Sequence, residues 1–191
     1  MKQKVISAIL RGYLKIAFRF KVNGEIPKEG AYIICANHTS FYDPLVIGSI
    51  CRRKVSFMAK AELFKIFGLG FLIKHLGAFP VDRNKADLKA IKTALSVLKK
   101  EEALMMFPEG TRVKAGESAD AKSGMIMLAH KAGASILPIG INSNYKLFSK
   151  LTVNIGEPVS FEEYTGKKLS SEEMDGLAQD VLAKIKLLAG A

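Results

Sequence analysis

The sequence predicts a single α/β domain, and two observations support this prediction. The chain has 191 residues, of which 49% are hydrophobic, and a chain of this length suits one domain with a sizeable core. Short runs of strand-like composition also alternate with segments of helical periodicity along most of the sequence. Such alternation is typical of a β-sheet covered by helices.

Five short apolar runs have the composition of β-strands. They are residues 31–36, 55–59, 103–107, 135–141 and 151–155. Residues 85–99 show the clearest helical pattern, with leucine and isoleucine recurring on one face, and residues 124–131 form a shorter one. The final helix is predicted to begin at the capping-box pattern Ser-Ser-Glu-Glu, residues 170–173, and to end near residue 188.

Residues 1–21 form a basic N-terminal arm, which we predict to be distinct from the main domain at residues 22–191. Residues 2–21 contain six lysines and arginines and no acidic residue. At helical spacing, the basic residues Lys4, Arg11, Lys15 and Arg19 lie opposite an apolar face of Val5, Ile6, Ile9, Leu10, Tyr13, Ile16, Ala17 and Phe20. Two interpretations remain open: the helix lies in a membrane interface with its basic edge toward anionic head groups, or it packs as an ordinary amphipathic helix on its own domain.

The strong positive charge predicts an anionic partner. The 29 Lys and Arg residues outnumber the 18 Asp and Glu residues, giving a formal net charge of +11, so nucleic acid, acidic lipid and phosphorylated substrates are all candidates. No stretch approaches the roughly 18 to 20 uncharged apolar residues of a membrane-spanning helix. A signal peptide is not expected, because the N-terminal apolar residues are interleaved with basic ones.

The cysteine content favours a reducing, cytosolic setting. Cys35 and Cys51 are the two cysteines of the sequence, too few for a disulfide framework. Cys35 ends an apolar run and lies three residues before His38. We interpret it as a buried structural thiol rather than a nucleophile.

The segment Asn-His-Thr-Ser-Phe-Tyr-Asp, residues 37–43, pairs a titratable base with a carboxylate. His38 suits proton transfer near neutral pH, and Asp43 would fix its tautomer and stabilise its charged form. The structural alternative is that Asp43 caps a helix whose first residue is Pro44. The segment alone leaves both interpretations open.

Two further segments place polar residues at the end of an apolar run. Residues 107–112, Phe-Pro-Glu-Gly-Thr-Arg, offer a carboxylate, a permissive glycine, a hydroxyl and a guanidinium, which suits an oxygen-rich ligand such as phosphate. Residues 77–83 end in Asp82 and Arg83. A surface turn in the first segment, and a solvated strand end with a local ion pair in the second, are the structural alternatives.

Taken in order, these segments resemble the glycerophospholipid acyltransferase family, most closely its bacterial 1-acyl-sn-glycerol-3-phosphate acyltransferase branch. The resemblance covers roughly residues 22–160 and includes the His-x4-Asp block. The other blocks are residues 57–65, 77–83, 107–112, 136–141 and 155–159. The resemblance implies a mixed β-sheet flanked by helices, and transfer of a fatty acyl group from a thioester to the sn-2 hydroxyl of lysophosphatidic acid, giving phosphatidic acid.

The resemblance also implies a role for each site residue. His38 would be the general base and Asp43 its partner. The acceptor phosphate would be held by Lys60, Arg83 and Arg112, and the acceptor site would be shaped by Glu109, Gly110 and Thr111. Pro138 and its apolar neighbours would line or support the acyl-chain region.

The partners implied are lysophosphatidic acid, an anionic membrane surface, and acyl-CoA or acyl carrier protein as the donor. No cofactor and no metal are expected, and the enzyme would act at the cytoplasmic face of the cell membrane as a peripheral or monotopic protein. Two alternatives stay open. One is an acyltransferase of the same fold that acts on glycerol-3-phosphate or another lysolipid. The other is a non-catalytic basic module for membranes or nucleic acid, although no nucleic-acid motif is recognisable.

Overall fold

The computed structural model describes residues 2–82, 87–113, 117, 119–164 and 166–190, with side chains from residue 5 onward. Within these ranges the chain forms one α/β domain around a seven-stranded mixed sheet, which confirms the predicted fold class. The strands are β1 (Arg19–Asn23), β2 (Tyr32–Ala36), β3 (Val55–Lys60), β4 (Ala78–Val81), β5 (Ala103–Met106), β6 (Ser135–Ser143) and β7 (Lys150–Ile155). The helices are α1 (Lys2–Ala17), α2 (Asp43–Ile50), α3 (Leu69–His75), α4 (Leu88–Lys99), α5 (Gly124–Ala132) and α6 (Ser171–Ala189), with 3₁₀ turns at Ala61–Lys65 and Glu162–Tyr164.

The strands follow the order β1-β7-β6-β2-β5-β3-β4. The five strands from β6 to β4 in this order are parallel, whereas β7 is antiparallel to β6 and β1 is parallel to β7. The central strand β2 is buried on both faces, as expected for a parallel strand covered on each side by helices. Ile34 and Ala36 face a core cluster with α1 and α2, and Ile33 and Cys35 face a second cluster with α4, α5 and α6.

All five predicted strands are confirmed, with ends that differ by one or two residues. The sequence predicts no separate strand at β4 and offers only a solvated strand end at residues 77–83 as a structural alternative. It pairs with β3 at the edge of the sheet and contains Pro80, and an edge strand tolerates proline because one of its sides needs no ladder donor.

The helical pattern predicted as far as Phe20 is wrong at its C-terminal end. Helix α1 ends at Ala17, and β1 begins at Arg19 and pairs with β7. The strand contains residues on both sides of the boundary predicted between positions 21 and 22. Exposure alternates along it, and this period of two is the signal of a strand. The longer helical pattern obscured it, because Arg19 and Phe20 also fit the helical repeat.

Helix α1 has two apolar faces. Leu14 and Ala17 are buried in the core cluster beside α2. Apolar side chains on another face are exposed: Val5, Ile9, Tyr13 and Ile16. Packing on its own domain therefore occurs, and an outward apolar stripe remains, so membrane association stays a prediction. Among the described helices, none is long and apolar enough to cross a membrane.

The later helices largely follow the predictions. At α6 the capping box is present: the Ser170 hydroxyl accepts from the backbone N–H of Glu173 at 3.1 Å, and the Glu173 carboxylate accepts from the Ser170 N–H at 2.7 Å. Helix α4 begins at Leu88 rather than residue 85, and Asp87 caps it by accepting from Ala90 N at 3.0 Å. Residues 85 and 86 lie outside the described ranges.

Both cysteines are buried, as the interpretation of Cys35 required. The Cys35 thiol lies 3.4 Å from the Met125 sulfur. Burial raises the pKa of the Cys35 thiol, and it raises that of Cys51 to about 12. Since the thiolate is the reactive form, neither group is suited to nucleophilic attack.

Gly140 allows α6 to approach the sheet closely, and its replacement tests this contact. A Cβ at position 140 would lie 2.2 Å from the backbone of Leu188 and Ala189. We expect Gly140→Ala to lower the free energy of unfolding by about 1–3 kcal/mol through overpacking, measured by urea denaturation. Gly176→Ala, on α6 itself, is the control, because a Cβ there meets open space and alanine favours a helix. Equal stability of wild type and Gly140→Ala would contradict the close approach.

Candidate active site

The predicted site segments follow strands that end at the same edge of the sheet. Because β2, β3, β4 and β5 are parallel, their carboxyl ends meet at one edge, where ligands bind in open α/β sheets. His38 follows β2, Lys60 ends β3, Asp82 follows β4 and Phe107 follows β5. The fold therefore brings together blocks that are far apart in sequence.

His38 and Asp43 form a direct pair. His38 Nδ1 lies 2.9 Å from Asp43 Oδ2, and the Asp43 side chain is completely buried whereas that of His38 is 12% exposed. The same Oδ2 atom accepts from the backbone N–H groups of Thr39 and Ser40, each at 2.7 Å. With Nδ1 held by the carboxylate, Nε2 is the ring atom available for proton transfer.

The helix-cap alternative for Asp43 is wrong. Asp43 is the first residue of α2, the N-cap position belongs to Tyr42, and that position makes no side-chain cap hydrogen bond. Asp43 instead accepts N–H groups of the loop that precedes the helix. Pro44 is the second residue of α2, one position later in the helix than predicted.

The ring of His38 is stacked on Phe107. The ring centroids are 3.8 Å apart and the planes differ by 13°. The adjacent Asn37 fixes the loop to β6, because its side-chain amide donates to the carbonyl of Ile141 at 2.9 Å and accepts from the Ile141 N–H at 2.7 Å. The imidazole is thus held by the Asp43 carboxylate, by the Phe107 ring on which it stacks and by the loop that Asn37 fixes to β6.

Glu109 lies buried under the histidine loop. Its Oε1 atom accepts from the His38 backbone N–H at 3.3 Å, and its Oε2 atom is a buried oxygen with no hydrogen-bond partner. Burial raises the pKa of this carboxyl. The structure therefore shows Glu109 bracing the loop, and its predicted contact with an acceptor remains a prediction.

The rest of the 107–112 segment forms a turn. Gly110 has φ of +68°, and a Cβ there would come within 3.1 Å of the Lys122 side chain, so a glycine is favoured at this position. Thr111 and Arg112 are exposed. The Arg112 guanidinium lies 3.6 Å from the centroid of the Phe41 ring, a cation–π arrangement.

Two of the three predicted phosphate ligands lie at this edge. Arg112 is stacked on Phe41, and Lys60 is exposed and paired with Glu62 at 3.2 Å. Arg83 lies outside the described residues. Within the described part of the chain, no group of three or more His, Cys, Asp or Glu side chains is placed to hold a metal ion.

Two cavities open beside the pair. One is strongly apolar, measures about 530 Å³ and is lined by residues of α2, β3 and α3 with neighbouring apolar side chains, among them Phe41, Leu45, Leu63, Leu72 and Phe107. The other measures about 640 Å³ and is more polar, with Asp82, Asp87, Lys122 and Asp175 on its wall. Met58 and Phe107 line both cavities. His38 is therefore stacked on a side chain, Phe107, that lies between the two cavities.

Pro138 is not among the residues that line the apolar cavity. It lies in β6, opposite Cys35 of β2 and close to Gly156. Its predicted role in lining or supporting the acyl-chain region stays a prediction.

Comparisons with known proteins agree with this geometry. The sequence profile of the acyltransferase family matches residues 18–142. The chain belongs to this family. It is 31% identical to 1-acyl-sn-glycerol-3-phosphate acyltransferases of Bacillus subtilis, over 94% of this chain and 89% of the relative, and of Streptococcus pneumoniae, over 94% and 71%. The crystal structure of the 1-acyl-sn-glycerophosphate acyltransferase PlsC from Thermotoga maritima superposes with a TM-score of 0.76 and 27% identity, over 99% of this chain and 80% of the other.

Sequence reasoning missed Tyr145 in this acyltransferase. The Tyr145 hydroxyl donates to Asp43 Oδ1, and its ring is stacked on Tyr42, with centroids 5.4 Å apart. Burial, followed by the charge of Asp43, raises the pKa of Tyr145, so the hydroxyl is a donor at neutral pH. Tyr145 is 102 residues from Asp43 in sequence, and no local pattern relates the two.

Tyr145→Phe tests whether this hydroxyl positions Asp43. We expect kcat to fall about 10-fold with little change in KM, because a hydrogen bond to a charged group is lost. The unshared carboxylate would stabilise imidazolium more strongly, so the acidic limb of the pH–rate profile should move to higher pH. Tyr32→Phe, at the opposite end of β2, is the control. An unchanged pH profile in Tyr145→Phe would exclude the positioning role.

Proposed function

We propose that this acyltransferase transfers a fatty acyl group from a thioester to the sn-2 hydroxyl of 1-acyl-sn-glycerol-3-phosphate, giving phosphatidic acid. The observation that carries the proposal is the His38–Asp43 pair, at 2.9 Å, with the imidazole stacked on Phe107, a residue that lines an apolar cavity. The relatives named for this activity support the choice of acceptor.

His38 acts as the general base. An unactivated alcohol is a weak nucleophile at neutral pH, and a positioned base contributes roughly 10²- to 10⁴-fold to such reactions. Nε2 of His38 removes the hydroxyl proton as the oxygen attacks the thioester carbonyl. The tetrahedral intermediate then collapses, the carbon–sulfur bond breaks, and the leaving thiolate takes the proton from the imidazolium.

Asp43 orients the imidazole and stabilises its charged form. The hydrogen bond to Nδ1 fixes the tautomer with its lone pair on Nε2. Direct transfer requires no acyl-enzyme. Cys35, the thiol nearest in sequence to His38, is buried and its pKa is raised, which agrees with direct transfer without an acyl-enzyme.

The apolar cavity is proposed to hold a fatty chain. Its volume of about 530 Å³ lies within the range of ligand pockets, roughly 300–1,000 Å³. Phe41 lies on its wall and carries Arg112 on its face, so a phosphate bound by Arg112 would lie next to the chain. Lys60 and Arg83 are proposed as further phosphate ligands, and Glu109, Gly110 and Thr111 as the turn that shapes the acceptor site.

The donor is proposed to be acyl-CoA or acyl carrier protein, since both are acidic and the protein carries a net charge of +11. We further propose that the enzyme acts as a peripheral protein at the cytoplasmic face of the membrane. The exposed apolar stripe of α1, with Ile9 and Ile16 at its centre, supports this location.

His38→Ala tests the assignment of the base. We expect acyl transfer to fall at least 100-fold with the fold intact, because no other group replaces the lost proton acceptor. The purified enzyme is assayed with lysophosphatidic acid and each donor in turn, and far-ultraviolet circular dichroism reports the fold. His130→Ala, a substitution at a half-buried position on α5 whose imidazole lies 2.8 Å from the Lys167 carbonyl oxygen, should retain activity. Near-normal turnover by His38→Ala would exclude the mechanism.

The same assay separates the candidate acceptors. Glycerol-3-phosphate and other lysolipids are offered beside lysophosphatidic acid. A higher kcat/KM for one of these would reassign the acceptor within the family and leave the base in place.

Arg112→Ala tests the phosphate role. We expect the KM for lysophosphatidic acid to rise about 10-fold or more, because a charge-assisted contact to phosphate is lost. The KM for monoacylglycerol, which has no phosphate, should change little. Lys92→Ala, at an exposed position of α4, is the control for general loss of positive charge. An equal loss with both acceptors would argue against a phosphate contact.

A further inference from the structure

The stretch from the end of the 3₁₀ turn into the first turn of α3 exposes large apolar side chains. Ile66 is 51% exposed, Phe67 is fully exposed and Phe71 is 70% exposed. The turn is tight, with Gly68 at φ of +75° and the backbone of Gly70 against that of Phe64. A well-formed turn therefore projects aromatic rings into solvent, an arrangement that marks an interaction site when the apolar side chains are contiguous.

The same elements line the apolar cavity from their inner side. Leu63 of the 3₁₀ turn and Leu69, Leu72 and Ile73 of α3 face the cavity. Phe67 and Phe71 lie on the outside of the same short stretch. The segment thus separates a cavity suited to a fatty chain from an apolar outer surface.

The charges around these rings fit an anionic lipid surface. Exposed Lys65 and Lys74 flank the aromatic residues, and residues 63–81 contain no acidic residue. Phe41, 65% exposed at the cavity, carries the Arg112 guanidinium. Aromatic rings with neighbouring cations are typical of segments that lie in the head-group region of anionic membranes.

We propose that residues 65–75 insert Phe67 and Phe71 into the interface of an anionic bilayer, as a second membrane contact distinct from α1. This contact places the opening of the apolar cavity at the membrane surface. It rests on the proposed function in one respect, that the cavity receives a fatty chain. The bilayer contact itself is a property of the surface and is measured without turnover.

The absence of tryptophan from the chain provides a direct probe. In Phe67→Trp the only indole stands at the tip of the segment. With vesicles of phosphatidylglycerol and phosphatidylcholine we expect its emission to shift to shorter wavelength and to be quenched by lipids brominated on their acyl chains. Phosphatidylcholine alone should give a smaller shift, because Lys65 and Lys74 then lack anionic partners. Leu187→Trp, at an exposed position of α6, should show no shift.

Binding is measured in parallel by vesicle sedimentation with the full-length chain. The double variant Phe67→Ser and Phe71→Ser should weaken binding about 10-fold or more, because two apolar side chains no longer leave water. Leu187→Ser and Leu88→Ser are matched controls at exposed apolar positions, and thermal unfolding confirms that each variant is folded.

The outcomes are distinguishable from those for catalysis. Unchanged binding in the double variant, or an unshifted spectrum in Phe67→Trp, overturns the proposal. Self-association of the wild type through Phe67, seen as loss of a dimer in the double variant with vesicle binding retained, also overturns it in favour of a protein partner. The binding and fluorescence measurements contain no acyl donor, so they do not depend on turnover. A failed acyltransferase assay would therefore refute the proposed function and leave the bilayer contact standing.

Discussion

The geometry of the site depends on the buried carboxylate of Asp43. A fully buried charge is costly unless its oxygens are satisfied, and this one accepts from two backbone N–H groups, from the His38 ring and from the Tyr145 hydroxyl. The donors come from the loop after β2 and from the connection between β6 and β7. These two segments and α2 must all be in place for the imidazole to be held, so the order of the site is inseparable from the fold around it.

The sheet explains why the site was largely visible in the sequence. The blocks that contain His38, Lys60 and residues 107–112 stand at the ends of predicted strands, and parallel strands end at one edge of a sheet. The resemblance to the acyltransferase family assigns these residues to one site, and the parallel order of β2, β5 and β3 explains why they meet. Strands β2, β5 and β6 were recognisable because burial on both faces demands continuous apolar runs, whereas β7 is buried only at alternate positions.

The parts that sequence reasoning missed have a common physical cause. Tyr145 and Phe107 act through contacts across the fold, and a hydrogen bond over 102 residues leaves no periodic signal. The cap interpretation of Asp43 failed for a related reason, since a carboxylate at a helix start offers its oxygens to whichever N–H groups the preceding loop presents. Strand β1 was missed because five residues of alternating exposure are too few to outweigh a longer helical pattern.

Met58 and Phe107 separate an apolar space from a polar one, with the imidazole at their boundary. Two separate cavities of this kind allow the apolar part and the polar part of a substrate to be recognised independently. If the apolar cavity holds the fatty chain, as proposed, substitutions deep in it alter the chain that is accepted without disturbing polar groups on the far side. The lipid preference can then change while His38 and Asp43, the proposed base and its partner, stay fixed.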